Sequence, residues 1–497
     1  MKKYIIIVAM AAILGGWYYD GHRGPRERWS KTLPGIGTFS SPRAEDINGD
    51  GVKDIIIGAG KAEFQSSDSA MVALDGKTGN LIWAKSASDQ IFGSAGLYDI
   101  NGDGVKDAFF AGRSVEFQAL DGKSGKPIWH FDTTLYSQNG KRWFNFYNPQ
   151  LIQDVDGDGL RDILISNGGD IKVPPFNPNR AAGRLVILQS ATGKVLGEAT
   201  MPDQKEIYMS VAVNFNQNEP RKSRIIFGTG GETVGGNLFV GTIQMVLDGD
   251  LSGAKKIAIG EKKGFISPPA WVDMNGDEIL DVVANSVDGR VLTFDGNNFQ
   301  PLWSASLPHT EAYSSMAIGH FDSDKIPDFF ISFAKGQWPY LMWTKQAMLN
   351  GKNGSIQYLD SLGYYQTSSP VVADLNGDNV DEVLLSVDYQ IMEGQEKVFN
   401  TAIYTIDFTK NRVGILMDAL PGHNLSSTPW VGDLDDDGYL DVIYCNSTDT
   451  NNMLSKSFDG MQVHCVETSI TIKKPIKWGS YMGSNYDGVF KNEANLN

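Results

Sequence analysis

One sequence unit recurs about every 50 residues from residue 40 to the end of the chain, and this repeat limits the possible folds more than any other feature. Each unit opens with small residues, as in the Ser-Ser-Pro of residues 40–42. An acidic loop follows, and then a β-branched run such as residues 54–57 (DIII). The next strand ends in a turn (residues 74–79, LDGKTG), and a short strand with an aromatic residue, such as residues 81–83 (LIW), completes the unit.

Four short strands separated by Gly, Asp and Asn turns are typical of one antiparallel blade of a β-propeller. Eight units are present, and closing them into a ring removes the open sheet edges of a linear stack. The sequence therefore predicts an all-β fold: a single eight-bladed β-propeller over residues 29–497 with four-stranded antiparallel blades and calcium-binding loops. The predicted blades start near residues 40, 93, 148, 208, 267, 314, 368 and 427.

Residues 29–34 (WSKTLP) resemble an outer strand of the repeat, since residues 303–308 (WSASLP) occupy that place in another unit. We expect this segment to pair with the last blade and close the ring. The tail, residues 478–490, is expected to pack at the same place. Cys445 and Cys465 are the two cysteines of the chain, and we predict two buried thiols that lie two strands apart in one blade.

Six of the acidic loops share the pattern Asp-x-Asp/Asn-x-Asp-x-x-x-Asp/Glu. Oxygen ligands at alternate positions let a tight loop surround one hard cation, and a site with six or seven oxygens suits Ca²⁺ better than Mg²⁺ or zinc. The alternative is an ordinary Asx-rich turn, but six copies at blade spacing favour about six Ca²⁺ ions. The predicted ligands are Asp46, Asn48, Asp50 and Asp54; Asp99, Asn101, Asp103 and Asp107; Asp154, Asp156, Asp158 and Asp162; Asp273, Asn275, Asp277 and Asp281; Asp374, Asn376, Asp378 and Glu382; and Asp433, Asp435, Asp437 and Asp441.

Two loops depart from the pattern. The sixth begins with His320 instead of a carboxylate and carries Lys325, which is expected to take the place of the ion. The fourth has Asn214, Asn216 and Asn218 and lacks carboxylates at these positions, so we predict that it binds no ion.

The N-terminus has the pattern of a targeting segment. Lys2 and Lys3 precede an apolar run over residues 4–14, so residues 1–19 are predicted to be a signal peptide or an N-terminal membrane anchor, and residues 20–28 a linker. This places the protein outside the cytoplasm, in the periplasm or at the cell surface, in contact with a membrane only through this segment. The formal net charge of −16 argues against a nucleic-acid partner.

The acidic loops resemble the FG-GAP repeats of integrin α-subunit propellers, and the turns at residues 74–79 and 120–125 (LDGKSG) resemble those of quinoprotein-like propellers. Together they are similar to the FG-GAP and quinoprotein-like repeat proteins of the bacterial cell envelope. This resemblance implies Ca²⁺ between the first two strands of a blade. It leaves the activity open, because such propellers serve in adhesion, assembly and catalysis.

Aromatic insertions on the face opposite the acidic loops favour a binding or assembly scaffold for a protein or glycan partner. The candidate binding residues are Trp143, Trp338, Tyr340, Trp343, Tyr364 and Tyr365, and the alternative is that they only cap the central channel. The alternative function is a polysaccharide lyase or other carbohydrate-active enzyme with Lys141, Arg142 or His423 as a basic residue. A quinoprotein dehydrogenase is less favoured, and no pyrroloquinoline quinone is expected, because the sequence has no adjacent pair of cysteines.

Overall fold

The computed structural model describes residues 24–136, 142–394, 396–450 and 458–491. The predicted targeting segment, residues 1–19, therefore lies outside the described residues. The described chain forms eight antiparallel sheets arranged as the blades of a propeller, and the predicted all-β, eight-bladed fold is confirmed. None of the described helices is both long enough and apolar enough to cross a membrane.

Each blade runs from a short strand near the axis to an outer strand at the rim. The first, innermost strands are Arg43–Glu45, Gly96–Tyr98, Gln150–Ile152, Ala212–Asn214, Ala270–Val272, Ala317–Gly319, Val371–Ala373 and Trp430–Gly432. The second strands are Asp54–Gly58, Asp107–Ala111, Asp162–Gly168, Arg224–Gly228, Asp281–Ser286, Asp328–Gln337, Glu382–Glu393 and Tyr439–Ser447. The third strands are Ser67–Leu74, Phe117–Leu120, Arg184–Leu188, Gly236–Thr242, Arg290–Phe294, Tyr340–Leu349, Glu396–Asp407 and Gly460–Thr471.

The outer strands of the first seven blades are Leu81–Ala87, Pro127–His130, Val195–Thr200, Lys255–Gly260, Pro301–Ser306, Ile356–Tyr364 and Arg412–Pro421. Two short strands, Asn145–Phe146 and Thr310–Glu311, add to the second strands of blades three and six. The described helical segments are Ile243–Leu247 and the 3₁₀ turns Thr133–Leu135 and Pro220–Lys222. Apolar side chains of neighbouring sheets pack face to face and form the core.

The N-terminal strand closes the ring. Arg26–Pro34 pairs antiparallel with Gly460–Thr471 and is the outer strand of blade eight, which confirms the predicted closure. The strand starts at Arg26, so the last residues of the predicted linker 20–28 belong to the sheet. Cys445 and Cys465 are free and buried as predicted, but they lie on adjacent strands rather than two strands apart.

A tryptophan on an outer strand fastens each of four blades to the next. Its indole N–H donates to a backbone carbonyl in the turn between the third and fourth strands of the following blade. In the same turn a glycine with positive φ lies so close that an added Cβ would meet the indole ring. The four sets of tryptophan, carbonyl residue and glycine are Trp29, Gly76 and Gly79; Trp83, Gly122 and Gly125; Trp129, Ser190 and Gly193; and Trp303, Gly351 and Gly354.

The small residues that open the repeats form a hydrogen-bonded belt around the channel. The Thr428 amide of blade eight donates to Ser41 Oγ of blade one at 3.0 Å, and the Ser41 amide donates to Ser94 Oγ of blade two at 3.0 Å. Similar bonds join seven successive blades, from six through eight to four, by way of Ser315, Ser369, Thr428, Ser41, Ser94, Asn148 and Ser210. The entry motif is therefore an inter-blade contact.

The C-terminal tail fills the central channel, which corrects the expectation that it packs at the closing blade. The Val431 amide of blade eight donates to Gly479 O at 2.7 Å, and the Trp271 amide of blade five donates to Gly488 O at 2.8 Å. Val489–Phe490 pairs in parallel with Ala270–Val272. Because the innermost strands of several blades bond the same segment, the tail lies along the axis of the ring.

Candidate functional site

The acidic loops connect the first and second strands of the blades and fold around their own side chains. In blade one, Asp46 accepts hydrogen bonds from the amides of Gly49 at 2.7 Å and Gly51 at 3.0 Å. Asn48 Oδ1 accepts from the Asp50 amide at 2.9 Å. Gly49 and Gly51 have φ of 81° and 84°, a left-handed conformation that glycine adopts without strain. The side chains at alternate positions are thus held by the amides of their own loop.

The last carboxylate of the loop links the acidic loop to the turn before the outer strand. Asp54 is buried and accepts from the amides of Ile47 at 2.9 Å and Gly76 at 3.0 Å. Burial raises the pKa of Asp54 to about 6 and that of Glu382, its counterpart in blade seven, to about 8. Burial disfavours the charged form of these carboxyl groups, and a positive charge in the loops would therefore stabilise it.

Loops three and eight bring their carboxylates closest together. Oxygens of Asp154, Asp156 and Asp162 lie within 4.8 Å of one another, and those of Asp433, Asp435 and Asp441 do the same. Asp162 is fully buried, and its Oδ1 has no hydrogen-bond partner among the described residues. Burial, followed by repulsion from Asp156 and Asp158, raises the pKa of Asp162 to about 7. Orphaned buried oxygens inside a ring of carboxylates fit a divalent cation.

In three of the four loops with Asn at the third position, the Asn side chain donates to the last carboxylate. The Asn48 side-chain amide donates to Asp54 Oδ1 at 3.0 Å, and that of Asn101 donates to Asp107 Oδ1 at 3.2 Å. The loop in these blades is thus partly satisfied by its own amide. The described structure groups only the carboxylates of loops three and eight within 4.8 Å.

The two irregular loops lack this convergence. In blade four the backbone amide of Asn216 donates to Ser223 Oγ at 3.0 Å. The guanidinium of Arg221 donates to Val155 O of loop three at 2.6 Å. In blade six Lys325 is exposed and forms no ion pair within the described ranges, so the expectation that it takes the place of the ion is wrong.

The six predicted aromatic residues occupy three different places. Tyr340, Trp343 and Tyr364 lie near the tip of a hairpin formed by the long second and third strands of blade six. Tyr340 is 82% exposed and Trp343 is 43% exposed, and the rings of Trp343 and Tyr364 are 5.8 Å apart. Trp338 and Tyr365 instead border a cavity at the axis.

The expectation that Trp143 lies on an exposed surface is wrong. Trp143 is only 8% exposed because Phe131 packs against it with ring centroids 4.8 Å apart, and the guanidinium of Arg184 lies 4.9 Å from its ring centroid. Its environment is an aromatic cluster between blades two and three.

The axial cavity was not predicted from the sequence. It has a volume of about 420 Å³ and is lined by residues that precede the belt in successive blades, with Tyr481 of the tail at its base. Phe39, Phe92, Tyr208 and Tyr313 each stand two residues before a belt serine. This spacing was a usable signal, since equivalent positions in a ring of repeats face the same axis.

The basic residues considered for a lyase do not converge in the described structure. Arg142 pairs with Asp170 at 2.6 Å, and Lys141 lies outside the described residues. His423 is buried and its Nδ1 is 3.0 Å from Asp449 O. Burial lowers the pKa of His423.

Two protein-family models match parts of the chain. Residues 273–331 match an FG-GAP-like repeat, and residues 48–244 match the outer membrane protein assembly factor BamB. These segments contain the acidic loops of blades two to six and most of that of blade one. The resemblance to FG-GAP and quinoprotein-like propeller repeats is confirmed.

Similar structures share the propeller fold at low sequence identity. A europium-containing methanol dehydrogenase has a TM-score of 0.56 at 11% identity, with 89% of this chain and 93% of that chain covered. The quinohemoprotein alcohol dehydrogenase of Comamonas testosteroni has a TM-score of 0.56 at 12% identity, with 91% and 77% covered. At this identity the likeness concerns the fold alone.

Two curated proteins resemble the chain in sequence. Protein FAM234B of Homo sapiens is 21% identical over 384 residues, which cover 70% of this chain and 57% of that protein. Protein FAM234B of Gallus gallus is 21% identical over 361 residues, which cover 66% and 53%. The chain thus spans a little over half the length of these relatives.

Proposed function

We propose that this protein is a calcium-binding propeller that acts outside the cytoplasm as a binding or assembly scaffold for a protein or glycan partner. The observation that carries the proposal is a rigid ring with acidic loops on one face and an exposed aromatic hairpin at the other end of the same strands. The second and third strands of blade six, which form this hairpin, each have ten residues, whereas the second strand of blade one has five.

Calcium is supported by the chemistry of the loops. The oxygens that would hold an ion are carboxylates and amide carbonyls, and Asp162 Oδ1 is a buried acceptor with no partner in the described chain. Bound Ca²⁺ would supply structural cross-linking of each loop, and it would offset part of the net charge of −16.

Native mass spectrometry tests the metal assignment. We expect six Ca²⁺ ions per chain, in loops one, two, three, five, seven and eight. Asp162→Asn should remove one ion, because it replaces an anionic ligand in loop three, and the matched substitution Asn216→Ala in blade four should remove none. A wild-type chain that retains no calcium, or an ion lost on Asn216→Ala, would contradict the assignment.

An extracytoplasmic scaffold role is supported by two observations. One matched family is described as an outer membrane protein assembly factor, and Lys2 and Lys3 precede an apolar run typical of a targeting segment. The aromatic surface on blade six, formed by Tyr340, Met342, Trp343 and Tyr364, has the composition of a protein or glycan interface.

A binding experiment tests the aromatic surface. Immobilised protein is exposed to solubilised envelope proteins and to an array of envelope glycans, and bound species are identified. Trp343→Ala should weaken binding by at least tenfold, since loss of an interface tryptophan costs about 2 kcal/mol or more. Phe176→Ala, which alters a 70% exposed aromatic on another blade, is the control.

Circular dichroism checks that each variant is folded. Because Trp343 lies outside the packed cores, its replacement by Ala should leave the fold intact. A folded Trp343→Ala protein that keeps every species bound by the wild type would place the partner site elsewhere.

A further inference from the structure

Eight aromatic side chains are among the residues that line the axial cavity of about 420 Å³. The ring centroids of Phe92 and Tyr147 are 5.2 Å apart, and those of Tyr147 and Tyr208 are 6.0 Å apart. On the other side Tyr313 and Tyr365 are 5.5 Å apart. The size is that of a site for one small molecule, and aromatic faces carry negative partial charge.

Two basic residues, Arg113 and Arg180, line this cavity, Lys263 lies close to it, and each of the three has an acidic partner. Each of three cations pairs with a carboxylate: Arg113 with Glu63 at 2.7 Å, Arg180 with Glu206 at 2.8 Å, and Lys263 with Glu311 at 2.5 Å. The phenol groups of Tyr208 and Tyr313 donate to Glu206 at 2.7 Å and Glu311 at 2.6 Å. The positive charge here is therefore neutralised within the protein.

Glu232 is the one carboxyl among the described residues that line the cavity. It borders the cavity, and within the described ranges no Lys or Arg nitrogen lies within 4.0 Å of its carboxylate. Its backbone is held in place, because Lys263 Nζ donates to Glu232 O at 2.6 Å and the Gly231 amide donates to Val234 O at 2.8 Å. Burial raises the pKa of Glu232 more than the nearby charges of Arg180 and Lys263 lower it, so a further cation beside it would stabilise the charged form.

Small residues let the walls come close to this carboxylate. A Cβ added to Gly169, which has a φ of 81°, would lie 3.0 Å from Tyr147 Oη and 3.2 Å from the Tyr208 ring. A Cβ added to Gly231, next to Glu232, would lie 3.1 Å from the same Tyr208 ring. The aromatic wall and the carboxylate are thus parts of one packed site.

From this geometry we infer that the axial cavity binds a small organic cation of the quaternary-ammonium class, with the aromatic rings around its methyl groups and Glu232 as the counter-ion. Cation–π attraction is strongest where the cation and the rings are desolvated. An anion would be repelled by the carboxylate, and the two guanidiniums that line the cavity are already paired with Glu63 and Glu206. A neutral sugar would bring no positive charge to the buried carboxylate. This site goes beyond the proposed scaffold role and uses neither the acidic loops nor the blade-six hairpin surface.

Isothermal titration of the calcium-loaded protein with choline tests the inference. 3,3-Dimethyl-1-butanol has the same shape as choline without the charge and serves as the ligand control. We expect saturable binding of one choline per chain and binding of the neutral analogue that is weaker by roughly tenfold or more.

Two cavity variants and one control variant accompany the titration. Glu232→Gln and Tyr365→Leu should each weaken choline binding by roughly tenfold, whereas Glu261→Gln, an exposed carboxylate outside the cavity, should leave it unchanged. Melting curves establish that each variant is folded. The inference is overturned if millimolar choline produces no saturable signal, if the neutral analogue binds equally well, or if folded Glu232→Gln protein binds choline like the wild type.

Discussion

Asp388 is a fully buried carboxyl on the second strand of blade seven, away from the acidic loops. Its oxygens accept hydrogen bonds from the Asn424 amide at 2.9 and 3.1 Å, and this amide belongs to the connection to blade eight. Burial raises the pKa of Asp388 to about 7. In the unfolded chain an Asp titrates near pH 3.9, so between about pH 4 and pH 7 the folded protein binds more protons at this residue.

The free energy of unfolding should therefore fall as the pH rises through this window. Asp388→Asn keeps an oxygen acceptor but cannot ionise, and it should reduce the loss of stability between pH 5 and pH 8 by about 1 kcal/mol or more. Urea unfolding in excess calcium, which keeps any calcium binding by the acidic loops constant, measures the difference. Equal pH dependence in the two proteins would show that Asp388 does not titrate in this range.

At the scale of single residues, the spacing of residues in the sequence predicts local hydrogen bonds better than it predicts which side chains are exposed. The hydrogen bonds that Asp46 and Asn48 accept from the amides of their own loop depend on neighbouring positions in one tight turn, so sequence alone could predict them. The burial of Trp143 depends on Phe131 and Arg184, which come from other strands, and no local pattern encodes it. Glu232 was missed for the same reason, because its neighbours come from other blades.

Among the elements, the N-terminal strand has a distinct role because Trp29 connects blade eight to blade one. Its indole N–H donates to Gly76 O at 2.7 Å, and its ring packs against Gly79. Trp29→Ala should lower the free energy of unfolding by about 3 to 5 kcal/mol, the usual cost of truncating a buried Trp.

Chemical denaturation measures this change, and Trp343→Ala is the matched control because its indole is partly exposed. A loss below about 1 kcal/mol for Trp29→Ala would mean that the hydrogen bonds of the closing strand hold the ring without the tryptophan.

The number and order of strands could be predicted from the repeat, since turn residues and β-branched runs recur at fixed offsets. The second strands of blades six and seven have 10 and 12 residues, against 5 in blade one, and the repeat alone does not specify these lengths. The tail over residues 478–490 has no repeat pattern, and its contacts come from the innermost strands of several blades. Its place in the channel was therefore beyond what periodicity predicts.

For the whole molecule, stability depends on contacts that pass from each blade to the next. The serine belt, the tryptophans and the axial tail all join neighbouring blades, so a local disturbance spreads around the ring. A bound ion would act on the second strand of its blade through the last carboxylate, since Asp54 already accepts hydrogen bonds from the amides of both Ile47 and Gly76. Several ions would thus stabilise one cooperative structure.

The melting temperature in calcium and in chelator tests this account most directly. An ion that binds only the folded chain at 100 times its dissociation constant adds about 2.7 kcal/mol per site. We predict that excess EGTA lowers the melting temperature by many degrees, that added calcium restores it, and that magnesium restores it poorly because it prefers small octahedral sites. EGTA already saturated with calcium is the control. A melting curve that excess chelator leaves unchanged would contradict the metal assignment.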